Sequence, residues 1–189
     1  MKTIRLLSMA TVLCILCNTQ LIQAQEESTE YNNEIRFGMF QLLGNTFYTS
    51  YERLYSNYGT SFSLAFTNKD IDNESVNGYF IEIDQKFYLK NVSTDIGCFY
   101  FSPGIKYRYR EYKGLSYTDR LTTYGAQVVF GVKYILFDQL VLDIYFGGNV
   151  CETLISKTGN SDTSYDNNMF SPGYSGISPV LNCTFGFQF

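Results

Sequence analysis

The feature that most constrains this chain is a strict two-residue alternation between Ser178 and Phe189. From Leu181 onward the odd positions carry Leu, Cys and three Phe, whereas the even positions carry Asn, Thr, Gly and Gln. Successive side chains of a β-strand point to opposite faces, so this pattern predicts a strand with one apolar face and one polar face.

The same alternation recurs in earlier parts of the chain. The predicted strands are Ile35–Leu43, Thr46–Tyr55, Thr60–Asn68, Tyr79–Leu89, Gly97–Glu111, Thr122–Leu136, Leu140–Val150 and Ser178–Phe189. Consecutive amphipathic strands joined by short connections are typical of an up-and-down barrel. The sequence therefore predicts an all-β fold, an eight-stranded antiparallel barrel over residues 34–189.

The connections alternate in length, and their lengths indicate two different ends. Shorter turns are predicted at Ser56–Gly59, Lys90–Ile96 and Phe137–Gln139, and longer loops at Lys69–Gly78, Lys113–Arg120 and Cys151–Ile177, with a tight turn at Gly44 and Asn45. Short periplasmic turns and long outer loops are typical of outer-membrane barrels. The last loop is long enough to suggest a role of its own.

Alternation alone does not say which face points outward. A soluble barrel of the lipocalin type shows the same period with the faces reversed. Here the apolar faces continue for about ten residues per strand, which matches an apolar band about 25 Å tall, and rings recur near both strand ends as in aromatic girdles. The pattern favours a transmembrane barrel in the bacterial outer membrane, with a soluble barrel as the alternative.

The N-terminal 24 residues have the organisation of a secretory signal peptide. Lys2 and Arg5 precede the apolar block Leu6–Leu16, and the segment ends on Ala24. A membrane anchor would need about 20 apolar residues, and a lipoprotein signal at Cys14 or Cys17 would need a small residue before the cysteine rather than leucine. We expect cleavage after Ala24, followed by a flexible lead-in over residues 25–33.

The polar faces carry charges of both signs. The predicted lumen charge network consists of Arg36, Glu52, Glu82, Asp84, Lys86, Lys106, Arg108, Arg110, Lys133 and Asp143. The interior of an eight-stranded barrel is just wide enough for side chains to fill it, and buried charges persist only when they are paired. We therefore expect a salt-bridged plug, with Lys133 close to Asp143 across one hairpin. A selective pore lining is the alternative.

Composition excludes several kinds of chemistry. The chain has no histidine, which removes Ser–His and Cys–His catalysis and imidazole metal sites. Its net charge of −4 and the absence of a basic stripe argue against nucleic-acid binding. Cys98, Cys151 and Cys183 remain after the leader, too few and too irregular for a disulfide framework. No metal or cofactor is expected, because the acidic loop residues show no defined cage.

Short motifs resemble a family of small barrels. Asp84 to Tyr88 read acid-x-basic-aromatic-Tyr, Gly97 to Tyr100 include Gly and aromatic-Tyr, and Gly131 to Phe137 precede Leu142, Asp143 and a Gly-Gly pair. In these features the chain resembles the small outer-membrane barrels of the OmpX and OmpA-transmembrane-domain kind, and more narrowly an uncharacterised family of such barrels in Bacteroides-like bacteria. The resemblance implies a fold and an outer-membrane location in a Gram-negative cell envelope, and no reaction.

We expect a non-enzymatic barrel that anchors surface loops for envelope integrity, adhesion or ligand contact. A narrow porin-like channel and a lipid-A-modifying enzyme are the alternatives. The expected partners are outer-membrane lipid and lipopolysaccharide, and the barrel-assembly machinery through the terminal Phe189. The sequence identifies no surface ligand.

Overall fold

The computed structural model describes residues 32–71, 74–89, 97–136, 139–159, 168–169 and 171–189. The elements within them are β1 (Asn33–Gly38), α1 (Met39–Leu43), β2 (Thr46–Tyr55), β3 (Tyr58–Ile71), β4 (Glu74–Tyr88), β5 (Gly97–Lys113), β6 (Tyr117–Leu136), β7 (Leu140–Gly159) and β8 (Gly176–Gln188). The predicted signal peptide (1–24), residues 25–31 of the lead-in and the predicted turn at 90–96 lie outside the described residues.

The eight strands form one closed antiparallel barrel in sequence order, with β8 returning to pair with β1. The predicted fold class is confirmed. Ile144 and Phe185 are exposed on the outside of the wall. Their sequence neighbours Asp143 and Thr184 are buried in the lumen. Apolar side chains therefore face outward, the reverse of the soluble lipocalin-type arrangement.

The first predicted strand is wrong beyond Gly38. Met39–Leu43 forms the short helix α1 rather than continuing β1. Alternation fails at this point because apolar residues occupy positions 39 and 40 together, and then 42 and 43. Such spacing suits a helical turn better than a strand. No helix in the described part of the chain is both long enough and apolar enough to cross a membrane.

We call the end of the barrel that holds Asn33 and Phe189 the proximal end, and the opposite end the distal end. Because β1 is short, it pairs only with the proximal part of β8, and we call the gap beside the rest of β8 the seam. Asn33 and Phe189 exchange backbone hydrogen bonds of 3.0 and 2.8 Å, so the odd-numbered residues of β8 direct their backbone groups toward β1. The β1–β8 ladder ends at Gly38 and Thr184, while β8 begins eight residues further toward the distal end, at Gly176.

The free edge of β8 is protected in three ways. The Cys183 N–H donates to Asn182 Oδ1 at 2.8 Å, and Tyr174 Oη donates to the Ile177 carbonyl at 3.1 Å. Pro179 has no N–H to expose. Helix α1 contacts both β2 and β8 and so occupies the seam, and Gln41 Nε2 donates to Asn182 Oδ1 at 2.8 Å.

The distal loops are shorter than predicted, because the strands continue. The predicted loop Lys69–Gly78 is a hairpin in which β3 runs to Ile71 and β4 begins at Glu74. Lys113–Arg120 is likewise a hairpin between β5 and β6, and β7 extends to Gly159 within the predicted loop Cys151–Ile177. The backbone ladders continue through these extensions without apolar alternation in the sequence.

Candidate functional site: the charged lumen

The proximal half of the lumen holds a compact ionic core. It contains three cations and three carboxylates: Arg36, Lys86, Lys133, Glu34, Glu52 and Asp143. None of these side chains is more than 5% exposed. Strands β1, β2, β4, β6 and β7 each contribute to the core, so it joins residues that are far apart in sequence.

Arg36 lies at the centre of the ionic core. Its Nη2 is 2.6 Å from Glu52 Oε2, and its Nη1 contacts Asp143 Oδ2. Its Nε lies 3.8 Å from Glu34 Oε2. The planar guanidinium can hold several carboxylates at once, which an ammonium group does with less directional control.

The two lysines complete the neutralisation. Lys86 Nζ lies 3.1 Å from Glu52 and 2.5 Å from Asp143. Lys133 is directly opposite Asp143 in the β6–β7 register, but its ammonium group pairs instead with Glu34 at 2.9 Å and Glu52 at 3.1 Å. Every carboxylate of the ionic core therefore has at least two cationic neighbours.

Two tyrosines seal the ionic core at its sides. Tyr88 Oη donates to Glu52, and Tyr100 Oη donates to Asp143 at 2.6 Å. Lys86 Nζ lies 4.4 Å from the centre of the Tyr100 ring, and Lys133 Nζ lies 4.6 Å from that of Tyr88. Cation–π contacts of this kind stabilise desolvated ammonium groups. A Cβ atom at Gly131 would collide with the Tyr100 ring, so the ring requires glycine there.

A layer of hydroxyl groups lies above the ionic core. Tyr48 Oη donates to Ser63 Oγ at 2.9 Å, and Ser63 donates to Ser50 at 3.0 Å. Asp84 accepts hydrogen bonds from Gln127 at 2.9 Å and from Ser61 at 3.5 Å. The cavity within this layer has a volume of about 10 Å³, space for roughly one water molecule. At the level of the ionic core and of this layer, side chains therefore fill the lumen.

The remaining predicted lumen residues are not part of the ionic core. Glu82 and Asp84 are buried on β4. Lys106, Arg108 and Arg110 follow one another at every second position of β5, in the distal half of the lumen, and are half-buried. Across residues 32–189, omitting the segments that the structure does not describe, none of these five side chains lies within 4 Å of an oppositely charged group.

The sequence prediction missed Glu34, which is fully buried and pairs with Lys133. The signal was present, because Glu34 has the same parity as Arg36 and must share its face on a strand. The roles of Tyr88 and Tyr100 were also missed. Their inward parity is readable from the sequence, but their carboxylate partners depend on which strands meet across the lumen.

A second charged cluster lies outside the lumen, on the distal extension of β5 and β6. Glu111 accepts a hydrogen bond from Arg120 Nε at 2.9 Å and lies 2.8 Å from Lys113 Nζ. The hydrogen bonds from Lys113 and Arg120 lower the pKa of Glu111 to about 2. The same contact with Glu111 raises the pKa of Arg120.

The described residues contain no group of three or more Cys, Asp or Glu side chains arranged to hold a metal ion. Cys98, Cys151 and Cys183 are free thiols. Cys98 is buried near Leu54 and Tyr100 at the proximal end, whereas the Cys183 sulfur lies 3.8 Å from that of Met39 at the seam.

No protein-family profile matches this chain, and no curated protein matches it significantly in sequence. The solved structures that resemble this chain include the following two. Ail, the attachment invasion locus protein of Yersinia pestis, is 10% identical with a TM-score of 0.49, over 85% of this chain and 99% of Ail. A major outer membrane protein from Thermus thermophilus is 13% identical with a TM-score of 0.46, over 84% of this chain and 98% of that chain.

Proposed function

We propose that this chain is a bacterial outer-membrane protein with a sealed lumen, which holds its distal hairpins at the cell surface and catalyses no reaction. The observation that carries the proposal is a ring of exposed apolar side chains. Every strand contributes one, each between 37% and 50% exposed: Ile35, Tyr51, Phe62, Ile83, Phe101, Phe130, Ile144 and Phe185. So continuous an apolar surface suits hydrocarbon rather than water.

Aromatic rings at both ends of this surface support a membrane location. Near the distal border Tyr79 stacks on Tyr109 with ring centres 5.5 Å apart, and Tyr107 meets Tyr124 edge-on at 5.4 Å. At the proximal border Tyr55 and Tyr58 stack at 4.9 Å. Tyrosine rings favour the boundary between hydrocarbon and headgroups. Lipid and lipopolysaccharide are therefore the proposed surroundings of the wall.

The filled lumen supports a sealed barrel over a narrow channel. An ion entering from the proximal end would meet six paired charges and two tyrosines, with a cavity of only about 10 Å³ beyond them. Moving that core aside would expose unpaired charges, at a cost of about 3–5 kcal/mol for each broken partner. We therefore assign the proposed contact with a partner at the cell surface to the distal extensions of the strands.

The test combines location and conductance. We expect the expressed chain to co-fractionate with the outer membrane and to migrate faster on a gel before boiling than after it. Reconstituted in planar bilayers, it should give no stepwise current. Recovery in the soluble fraction would contradict the membrane location. Regular conductance steps from the unboiled species would indicate a channel rather than a sealed barrel.

A shaving experiment tests the role of the distal end. Externally added protease should cut intact cells only within the connections at the distal end, and replacing 160–175 with a short Gly-Ser linker should leave the gel shift unchanged. If cells that express the native chain adhere to a surface, cells that express this variant should not, although its barrel is still folded. Cleavage confined to permeabilised cells would contradict the proposal that the distal end lies at the cell surface.

A further inference from the structure

The distal half of the lumen contains three successive cations that form no ion pair with any acidic side chain in the described ranges. Lys106, Arg108 and Arg110 occupy alternate positions of β5 and share the inward parity of Ser102, which is fully buried. Alternate residues of a strand are about 6.8 Å apart, so the three side chains form a column about 14 Å long. We call this set the cationic column.

Contacts confirm that the column faces the lumen. The Arg108 guanidinium lies over the Phe80 ring of β4, 5.3 Å from its centre. Glycines flank the two ends of the column: a Cβ atom at Gly125 would come within 3.1 Å of Lys106 Cε, and one at Gly78 within 3.1 Å of Arg110 Cγ. The absence of side chains at both glycines leaves room for the cationic groups.

The column contrasts with the ionic core in the same barrel. In the core each cation lies within about a hydrogen-bond length of a carboxylate, for example Lys133 at 2.9 Å from Glu34. No member of the column forms an ion pair or donates a side-chain hydrogen bond to any residue that the structure describes. Half-buried charges that repel one another and lack partners are costly.

None of the nearest acidic side chains forms an ion pair with the column. Glu82 is opposite Lys106 in the β4–β5 register but farther away than an ion pair allows. Asp84 is engaged by Gln127 and Ser61. Asp119, buried on β6, is opposite Tyr112, beyond the distal end of the column. Arg108, in the middle, has no carboxylate opposite it on either neighbouring strand.

We propose that the cationic column binds a multivalent phosphate-type oxyanion that enters the lumen from the distal end. Two arginines and a lysine provide bidentate and point-charge recognition of phosphate oxygens. Their spacing suits a ligand with two or more phosphate groups better than a single small anion. The sealed core beneath makes this a blind site, which captures a ligand without conducting it.

The continuous wall of the barrel limits the direction from which the anion can reach the column. β4, β5 and β6 are hydrogen-bonded along the whole column, from Lys106 to Arg110, so a phospholipid headgroup outside the barrel cannot reach it through these strands. A solute from the external medium can. The inference rests on the proposed sealed lumen for its single entrance, but binding itself is measurable in detergent and does not depend on cellular location.

The test uses inorganic pyrophosphate and protein refolded in octyl glucoside, a detergent without phosphate. Isothermal titration should show one saturable site. Lys106→Gln with Arg108→Gln should weaken binding by about tenfold to hundredfold, because charge-assisted hydrogen bonds are lost. Arg53→Gln removes a cation that lies outside the lumen, exposed beside Tyr55, and should leave the affinity unchanged. Absence of saturable binding, or equal binding by the double variant, would overturn the proposal.

Two further measurements separate a ligand site from its alternatives. If the column is a binding site, the double variant should keep the heat-dependent gel shift and unfold at the same or higher denaturant concentration, because a repulsion has been removed. Lower stability would assign the column a structural role instead. Adding phosphatidic acid to the micelles should leave pyrophosphate affinity unchanged. Competition by that lipid would identify a headgroup, and not a solute, as the source of phosphate.

Discussion

A lysine in this barrel has a very different energetic role in the lumen and on the surface. Lys133 is fully buried, pairs with Glu34 and Glu52 and lies against the Tyr88 ring. Lys113 is more than half exposed and, within the part of the chain that the structure describes, forms an ion pair only with Glu111. The surface pair contributes little, because water and salt screen its Coulombic attraction. In the buried cluster, the removal of one partner leaves the other charge with neither water nor a counter-ion.

Replacement of Lys133 with methionine should therefore lower the free energy of unfolding by about 3–5 kcal/mol. Urea titration of micelle-refolded protein, followed by circular dichroism, measures the change. Lys113→Met is the matched control and should change the value by less than about 1 kcal/mol. Adding Glu34→Gln to Lys133→Met should recover part of the loss, because two cations then face two carboxylates. Equal effects of Lys133→Met and Lys113→Met would contradict a cooperative ionic core.

The carboxyl group of Glu111 should titrate with a pKa of about 2. Because the folded pKa is depressed by Lys113 and Arg120, the contribution of Glu111 to stability is complete above its unfolded value of about 4.5. It is lost as the pH falls toward 2. Carbon-13 NMR of the side-chain carboxyl reports the titration directly. Lys113→Gln with Arg120→Gln should return the pKa toward its ordinary value, and an unchanged midpoint would rule out these two cations as the cause of the depression.

At the scale of elements, the decisive feature is the early end of β1. Helix α1 replaces the distal part of that strand, and Asn182 fixes the resulting seam. Asn182 Oδ1 accepts from Gln41 and from the Cys183 N–H, and its Nδ2 donates to Tyr145 Oη at 2.7 Å. One buried amide thus links the helix, the free strand edge and the lumen.

Asn182→Ala should cost about 1–3 kcal/mol, because Tyr145 and Gln41 each lose a partner. More specifically, the Cys183 amide should exchange with deuterium faster, while amides in the β6–β7 ladder keep their protection. Asn68→Ala, at a position on β3 away from the seam, is the control. Unaltered exchange at Cys183 would show that the edge is protected by something other than this side chain.

The success of the sequence prediction follows what surrounds each strand. Thr46–Tyr55 was predicted with its observed limits, because one face contacts the lumen and the other is apolar, which forces alternation. The distal half of β7, beyond Val150, lies in a predicted loop, because its residues are mostly exposed on both faces and show no apolar alternation. Hydrogen bonds to β6 hold this half in place, and hydrogen bonding leaves no hydrophobic period in a sequence.

Inward position was readable from parity, and pairing was not. Lys106 and Lys133 both have an inward parity on amphipathic strands, so the sequence predicted one network for both. The stagger of the strands brings Lys133 to Glu34 on β1, whereas it leaves Lys106 beside Gly125. Contacts across a lumen depend on the register of every intervening strand, and a single sequence does not state that register.

At the scale of the whole molecule, the ionic core joins strands from both ends of the chain. Arg36 on β1 contacts Asp143 on β7, and Lys86 on β4 contacts both Glu52 on β2 and Asp143. No strand that contributes to the core can leave without breaking several pairs. A barrel linked in this way should lose all its strands together rather than one hairpin at a time.

Unfolding should accordingly be a single transition. Denaturant curves recorded by circular dichroism, by gel mobility and by tyrosine fluorescence should coincide for the native chain. Arg36→Gln should shift all three curves together to lower denaturant concentration. Separate midpoints, with gel mobility lost before strand content, would indicate that the wall opens at the seam while the core persists.

For the membrane location proposed above, the position of Arg36 on β1 has a consequence for how the barrel is inserted. Arg36, one of the two cations that contact Asp143, reaches it only when β1 closes the barrel against β8. Until then a partly inserted sheet would present bare ions to acyl chains, an arrangement that the bilayer rejects. Insertion and closure of the barrel must therefore occur together, because a partly closed barrel would not be stable in the lipid.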